Sequence, residues 1–307
     1  AYEISLGLVG SEMCIRDSLY SLVGIPILMP KNCDIYHATQ VIESIYLPYG
    51  KKPTVVTIHD LIPLYYAGHI THTHYSSNVI EWILTKTWFA YTLKRDVKAD
   101  IIICVSEEVK KQLIESMKVD PEKVVVIPNG IPNSLVERPK PDSVPRVGFL
   151  GYLDPRKRVD LLIKAYRVSK HKGELWIAGD TRDVKYKLYL RKVADGDNRI
   201  KFLGFWPDNK LAYFYNSIDL LIFTSKVEGY GLPIVEALAC GKPVVTLDDA
   251  LIPYEVKRHT YVVSRKDLPS IIENPPKVRR EDIRWACKHK WRNVVNQIIQ
   301  VYYELLS

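Results

Sequence analysis

Glu228-Gly229-Tyr230-Gly231-Leu232-Pro233-Ile234-Val235-Glu236-Ala237-Leu238-Ala239-Cys240-Gly241-Lys242-Pro243-Val244-Val245 decides how this chain is read. Two carboxylates stand eight residues apart. The loop between them is bracketed by glycines and runs into a proline. Pro233 suits the first position of a helix, where its missing N–H costs nothing. That puts Glu228 in the loop ahead of a helix and Glu236 about one turn inside it. The amides of Tyr230, Gly231 and Leu232 then become donors at a helix N-terminus, a place that favours an anion such as a phosphate. The two carboxylates supply acceptors for hydroxyls on either side. The plainer reading is a strand–loop–helix unit with two surface glutamates.

A phosphate flanked by hydroxyl acceptors suits a sugar nucleotide. The whole run resembles the donor-site signature of the retaining GT-B glycosyltransferases of the glycosyltransferase 4-like (group 1) family, E-G-[FY]-G-L-P-x-x-E-A-x-A-x-G-x-P-V, and fills every fixed position of it. The resemblance implies an α/β GT-B fold, with two Rossmann-like domains whose parallel sheets face a central cleft. It implies transfer of a hexosyl group from a nucleoside-diphosphate sugar to an acceptor hydroxyl, with retention of configuration. In such a site Glu228 contacts the transferred sugar and Glu236 the ribose. Gly229, Tyr230, Gly231 and Leu232 line the donor, with the Gly231 and Leu232 amides on the phosphate. The donor is a co-substrate, so no cofactor and no metal are implied.

Outward from this run the chain alternates apolar, β-branched stretches with helical patterns. Residues 53–58, 101–105, 124–127, 146–150, 175–178, 220–223 and 243–246 read as buried strands, and residues 77–95, 107–117, 159–170 and 208–216 as helices. Such alternation argues for parallel sheets covered on both faces. Pro132, Pro139, Pro141 and Pro145 mark a connecting stretch. We therefore divide the chain into an acceptor-side domain at 19–135, a linker at 136–145 and a nucleotide-sugar domain at 146–284. Residues 285–307 belong to a terminal helix read from Ile283 onward; the resemblance has it cross back to the first domain.

Shorter signatures extend the resemblance over most of residues 33–303. Asp34-Ile35-Tyr36-His37-Ala38-Thr39 and Thr57-Ile58-His59-Asp60 resemble strand ends of the first domain. Val105-Ser106-Glu107, Ile127-Pro128-Asn129-Gly130 and the turn from Gly151 to Asp160 follow in the family's order. His59 lies at the C-terminal end of a strand, where open α/β sheets place ligands, and is expected to face the reacting sugar. Lys157 and Arg156, at the head of the second domain, are expected to neutralise the leaving diphosphate. Tyr152 stands where the family usually has arginine, so Arg156 or Arg158 would have to substitute. Few residues precede the Asp34 strand, which points to a chain lacking the family's first strand and glycine-rich loop. Residues 5–18 resemble translated adapter sequence, and 1–18 are set apart as an artefact.

Composition narrows the alternatives. The 307 residues suffice for two α/β domains, and a net charge of +8 fits an anionic partner without specifying one. Five cysteines show no C-x-x-C spacing, which fits a reduced, cytoplasmic setting and neither a zinc site nor a disulfide framework. His69, His72 and His74 match no zinc spacing. Asp195-Gly196-Asp197 is a D-x-D, but in a Gly/Asp/Asn turn, so no metal is assigned to it. There is no P-loop and no nucleophile elbow. Trp82, Trp88, Phe89 and Tyr91 with Lys86, Lys94 and Arg95 are read as a helix packed on the first sheet. Peripheral membrane contact is the alternative. No nucleic-acid module is recognisable. The expected partners are a nucleotide sugar and a saccharide or lipid-linked acceptor. The rival readings are a truncated or degenerate nucleotide-sugar binder without turnover, and another GT-B enzyme such as a sugar-nucleotide epimerase.

Overall fold

The computed structural model describes residues 33–41, 43–65, 79–181 and 183–307. The segment 1–18, the three histidines at 69, 72 and 74 and the side chain of Trp82 lie outside the described residues. Among the described residues ten strands form two sheets, each wholly parallel. The first has the order β1 (Tyr36–Ala38), β2 (Thr54–Ile58), β3 (Ile101–Cys104), β4 (Val124–Val126). The second contains β5 (Arg146–Leu150), β6 (Glu174–Ala178), β7 (Ile200–Gly204), β8 (Leu220–Phe223), β9 (Val244–Leu247) and β10 (Tyr261–Val263), in the order β10-β9-β8-β5-β6-β7. The strand order turns back between β5 and β8, and such a reversal is where a doubly wound sheet opens a crevice for a ligand.

Helices cover the sheets: α1 (Val79–Asp96), α2 (Glu107–Met117), α3 (Val159–Val168), α4 (Val184–Ala194), α5 (Leu211–Ser217), α6 (Leu232–Ala239), α7 (Leu268–Glu273), α8 (Arg280–Cys287) and α9 (Trp291–Leu306). Side chains in the first sheet alternate faces with the period of two that a strand dictates. Val56, Ile58, Ile102 and Cys104 join the large core, while Val55 and Ile103 pack with Ile127, Val294 and Val301. The final helix α9 therefore lies on the outer face of the first sheet, although α8, just before it, packs against α6 of the second.

Several elements differ from expectation. Residues 283–307 are two helices, not one. Ile131 takes the backbone there: its N–H donates to His289 O at 2.8 Å and its carbonyl accepts from Trp291 N at 3.0 Å. This isolated bridge between Ile131 and Lys290 interrupts the helix. Strands β7 and β10, five and three residues long, were too short and too mixed to be read. The helix expected over 208–216 starts as a 3₁₀ turn at Asp208–Lys210. The proline-rich connection is not a free tether, since Arg138 N donates to Asn216 Oδ1 at 2.8 Å and Asn216 Nδ2 donates to Val136 O at 3.1 Å.

Candidate active site

The first cluster forms where β5 and β8 end. Asp154 caps a single 3₁₀ turn, Pro155–Lys157, accepting from the Lys157 amide at 3.2 Å. The turn aims Lys157 at the loop after β8, where its Nζ donates to Glu228 Oε1 at 2.6 Å. Arg156 Nη1 is 3.3 Å from the same oxygen and donates to Val227 O at 2.6 Å. Lys157 is only 8% exposed, so this is a half-closed ion cluster and not a solvated turn. Burial alone would raise the Glu228 pKa; the Lys157 and Arg156 charges outweigh it and hold the carboxyl below the usual glutamate range. Asp154 Oδ2 stands 3.5 Å from Arg156 Nη2, so two carboxylates face the two cations.

The loop that follows is held by close approach. A Cβ built on Gly229 would fall 2.1 Å from His59 O and 2.6 Å from Asp60 Cβ, so only glycine lets the His59–Asp60 loop of the first sheet seat there. Ser106 Oγ, which caps α2, also donates to Gly229 O at 3.0 Å. Gly231 has φ +99° and forms the N-cap of α6. The helix begins at Leu232, which puts Pro233 at its second position, not its first. Among the described residues the amides of Tyr230, Gly231 and Leu232 donate to no other group. The Tyr230 ring is buried, and its hydroxyl has no partner among those residues.

Glu236 points elsewhere. It lies within α6 and lines a cleft of ≈ 380 Å³ together with Leu232, Asp208, His59, Thr57 and His37. The cleft thus draws on both sheets and on Tyr302 of α9. Glu236 is 7% exposed, and the Tyr215 hydroxyl donates to its Oε2 at 2.6 Å. Burial pushes its carboxyl up to about 7, against the lowering effect of the Tyr215 bond, and Asp208 adds to the rise. On the opposite wall His59 Nε2 is 2.9 Å from Thr39 O. His37 bridges Tyr302 OH (2.5 Å) and Thr57 Oγ1 (2.8 Å), and burial brings it down to about 4, a neutral imidazole.

The structure thus brings Lys157, Arg156 and Glu228 together, sets Gly229 to Leu232 beside them and puts Glu236 and His59 on the neighbouring cleft. Arg158 cannot stand in for the cation missing at Tyr152. Its guanidinium is consumed by Thr224 O, Ser225 O and both carboxylate oxygens of Asp249. Asp195 and Asp197 lie in the turn after α4, paired with Arg167 and Arg199. The aromatic helix needs correcting: Phe89 packs on the core, but Trp88 and Tyr91 are about half exposed, at 45% and 51%, beside exposed Ile83. Sequence reading missed Tyr215, His37 and Tyr302. The contact between His37 and Tyr302 spans almost the whole chain, and no local pattern announces it.

A family model described as glycosyl transferases group 1 matches residues 131–273, and one described as glycosyltransferase family 4 matches residues 17–135. The chain belongs to the group 1 glycosyltransferases of GT-B fold. It is 23% identical over 300 residues to O-antigen chain mannosyltransferase B of Escherichia coli, covering 87% of this chain and 74% of that protein. Over 211 residues it is 29% identical to O-antigen chain mannosyltransferase RfbU of Salmonella typhimurium, covering 66% of this chain and 58% of the relative. Among solved structures, Anabaena HepE in complex with UDP and glucose superimposes with a TM-score of 0.72 at 22% identity, covering 94% of this chain and 83% of that one. Sucrose-phosphate synthase of Thermosynechococcus elongatus gives 0.68 at 18% identity, covering 95% and 76%. At such identities these structures speak for the fold. Among the described residues of this glycosyltransferase no helix is long and apolar enough to cross a membrane.

Proposed function

We propose that this glycosyltransferase moves a hexosyl group from a nucleoside-diphosphate sugar to a hydroxyl of a saccharide acceptor, free or lipid-linked, with retention and without a metal. The observation that carries the proposal is the start of α6. Unengaged amides of Tyr230, Gly231 and Leu232 stand there between a carboxylate in the cleft, Glu236, and a carboxylate under two cations, Glu228. Amides and cations suit a diphosphate, and the carboxylates suit the hydroxyl groups at its two ends.

In this reading Glu236 holds the ribose and Glu228 the transferred sugar. Lys157 and Arg156 offset the charge that grows on the departing diphosphate, the stabilisation that counts most when it is built in beforehand. His59, on the wall from the first sheet, faces the reacting sugar. The protein supplies alignment: the acceptor oxygen must meet the anomeric carbon on the side the diphosphate leaves, and the cleft walls fix that approach.

Two kinds of neighbour guide the choice of donors. The relatives named above are mannosyltransferases, and the Anabaena structure contains UDP and glucose. The test is a panel of UDP- and GDP-sugars, mannose included, offered with saccharide acceptors, with the product anomer read by NMR. Transfer with the donor's configuration kept supports the proposal. Inverted product, or nucleotide-sugar binding with no transfer to any acceptor, overturns it.

A further inference from the structure

Glu236 has two carboxylate oxygens with different fates. Oε2 accepts from the Tyr215 hydroxyl at 2.6 Å, while Oε1 has no hydrogen-bond partner among the described residues. Tyr215 is fully buried on α5, and the 3₁₀ turn Asp208–Lys210 leads directly into that helix. Asp208, Leu211 and Glu236 all line the cleft. The tyrosine thus comes from behind the site, out of reach of any ligand, and touches only the far side of the carboxylate.

We infer that Tyr215 is a positioning residue: its hydroxyl locks the Glu236 carboxylate in one orientation and leaves the second oxygen to bind the ribose hydroxyls. The inference rests on the donor-site reading proposed above. A glutamate side chain has three rotatable bonds, and a fixed acceptor loses less freedom on binding than a mobile one. A hydroxyl donated to the carboxylate also favours its charged form, whereas burial opposes it. Both effects bear on the same atoms.

Tyr215 faces Glu236 from α5, Asp208 from the 3₁₀ turn, and Cys240 from the end of its own helix; His37 and His59 line the same cleft from the first sheet. Cys287 of α8 stands near Cys240. Strands β8 and β9 beneath α6 carry no titratable side chain. With the carboxyl sitting at about 7, protonation removes an acceptor for the ribose. Affinity for a ribonucleotide therefore rises as pH climbs through neutrality and falls below it.

The experiment is calorimetric titration of UDP, GDP and ADP, and of their 2′,3′-dideoxy forms, between pH 6 and 9. The dideoxy forms keep the same diphosphate, so they control for its own protonation. Wild type should show ribose-dependent affinity that grows with pH, and flat behaviour once the diphosphate is accounted for in the dideoxy series. Tyr215→Phe should weaken ribonucleotide binding about tenfold at pH 7, regain most of it at pH 9 and leave dideoxy binding within about twofold. A purely structural role would weaken both series equally at every pH. Equal profiles in wild type and Tyr215→Phe, or equal losses in both series, overturn the inference while the donor-site reading stands. If the variant does not fold, the wild-type comparison still decides: a ribonucleotide profile identical to the dideoxy one overturns the inference. Binding of none of the three diphosphates overturns both readings.

Discussion

The α-carbon of Gly229 is so close to His59 that a Cβ there would sit 2.1 Å from the His59 carbonyl oxygen. One residue belongs to the loop after β8 and the other to the loop after β2, so the two sheets meet at the point where the cleft residues converge. Ser106 reinforces the meeting through Gly229 O, and Glu255 accepts from Glu107 N at 3.0 Å.

Gly229→Ala should prevent this approach, because the nearest obstructing atom is a backbone carbonyl oxygen and cannot swing away. We expect sugar transfer to fall by about a hundredfold, the scale of a misplacement near 1 Å, while nucleoside-diphosphate affinity changes little. Steady-state rates alongside calorimetry check it. Unimpaired transfer would mean that the loops separate during turnover and that their contact has no part in the reaction.

Glu236→Ala should cost nucleotide binding about 1–3 kcal/mol, the usual penalty of stranding hydrogen-bonding partners. The same change strands the Tyr215 hydroxyl in the core. Calorimetry with the preferred nucleoside diphosphate measures the loss. Unchanged affinity would remove Glu236 from the site.

What the sequence revealed follows from how local each signal is. Glu228, Gly231 and Glu236 lie on one loop–helix unit, and its glycine, proline and carboxylate spacing was readable as a single word. Lys157 was placed at the head of the second sheet, but not its bond to Glu228, because that bond joins the ends of two different strands. Arg158 illustrates the opposite failure. It sits in the same basic turn as Arg156 and Lys157, yet φ 51° turns it toward Asp249. Strands β2, β3, β5 and β8 were legible because burial on both faces makes them continuously apolar. The peripheral β7 and β10 are not. The exposed Trp88 and Tyr91 show that an aromatic stripe does not by itself declare which side of a helix is covered.

Arg158→Ala and Arg156→Ala should separate structure from function. Arg158 holds two backbone carbonyls and a carboxylate, and its removal should destabilise the fold by about 2–3 kcal/mol with nucleotide affinity kept. Arg156→Ala should instead lower transfer. Denaturant midpoints and turnover for both variants decide. Equal loss of nucleotide affinity in the two would restore Arg158 to the diphosphate site.

Glu228 sets a limit on the acid side. Its folded pKa lies below its unfolded value, so the stability it contributes is fully present above the ordinary glutamate pKa of about 4.3 and is lost as pH falls through the depressed one. Lys157→Met removes the nearer cation and should shift this loss to higher pH. The readout is thermal unfolding from pH 3 to 7. Superimposable wild-type and Lys157→Met curves would show that the Lys157 charge does not hold Glu228 ionised.

Transfer should survive excess chelator. The Asp195–Asp197 pair is engaged by Arg167 at 2.7 Å and Arg199 at 2.6 Å, and among the described residues no three His, Cys, Asp or Glu side chains gather in a cluster that could hold a metal. In the proposed site a nucleoside diphosphate meets Lys157, Arg156 and the first amides of α6, so positive charge is supplied without an ion. The assay compares initial rates before and after EDTA treatment, then after addition of manganese or magnesium. Rates equal within about twofold are expected, given that screening of exposed charges alters such contacts modestly. Loss of activity with EDTA and its return with manganese would assign the neutralisation of the diphosphate to a metal. Asp195→Asn and Asp197→Asn would then show whether that metal sits at the turn after α4, since metal-dependent activity would fall with either change and basal folding would not.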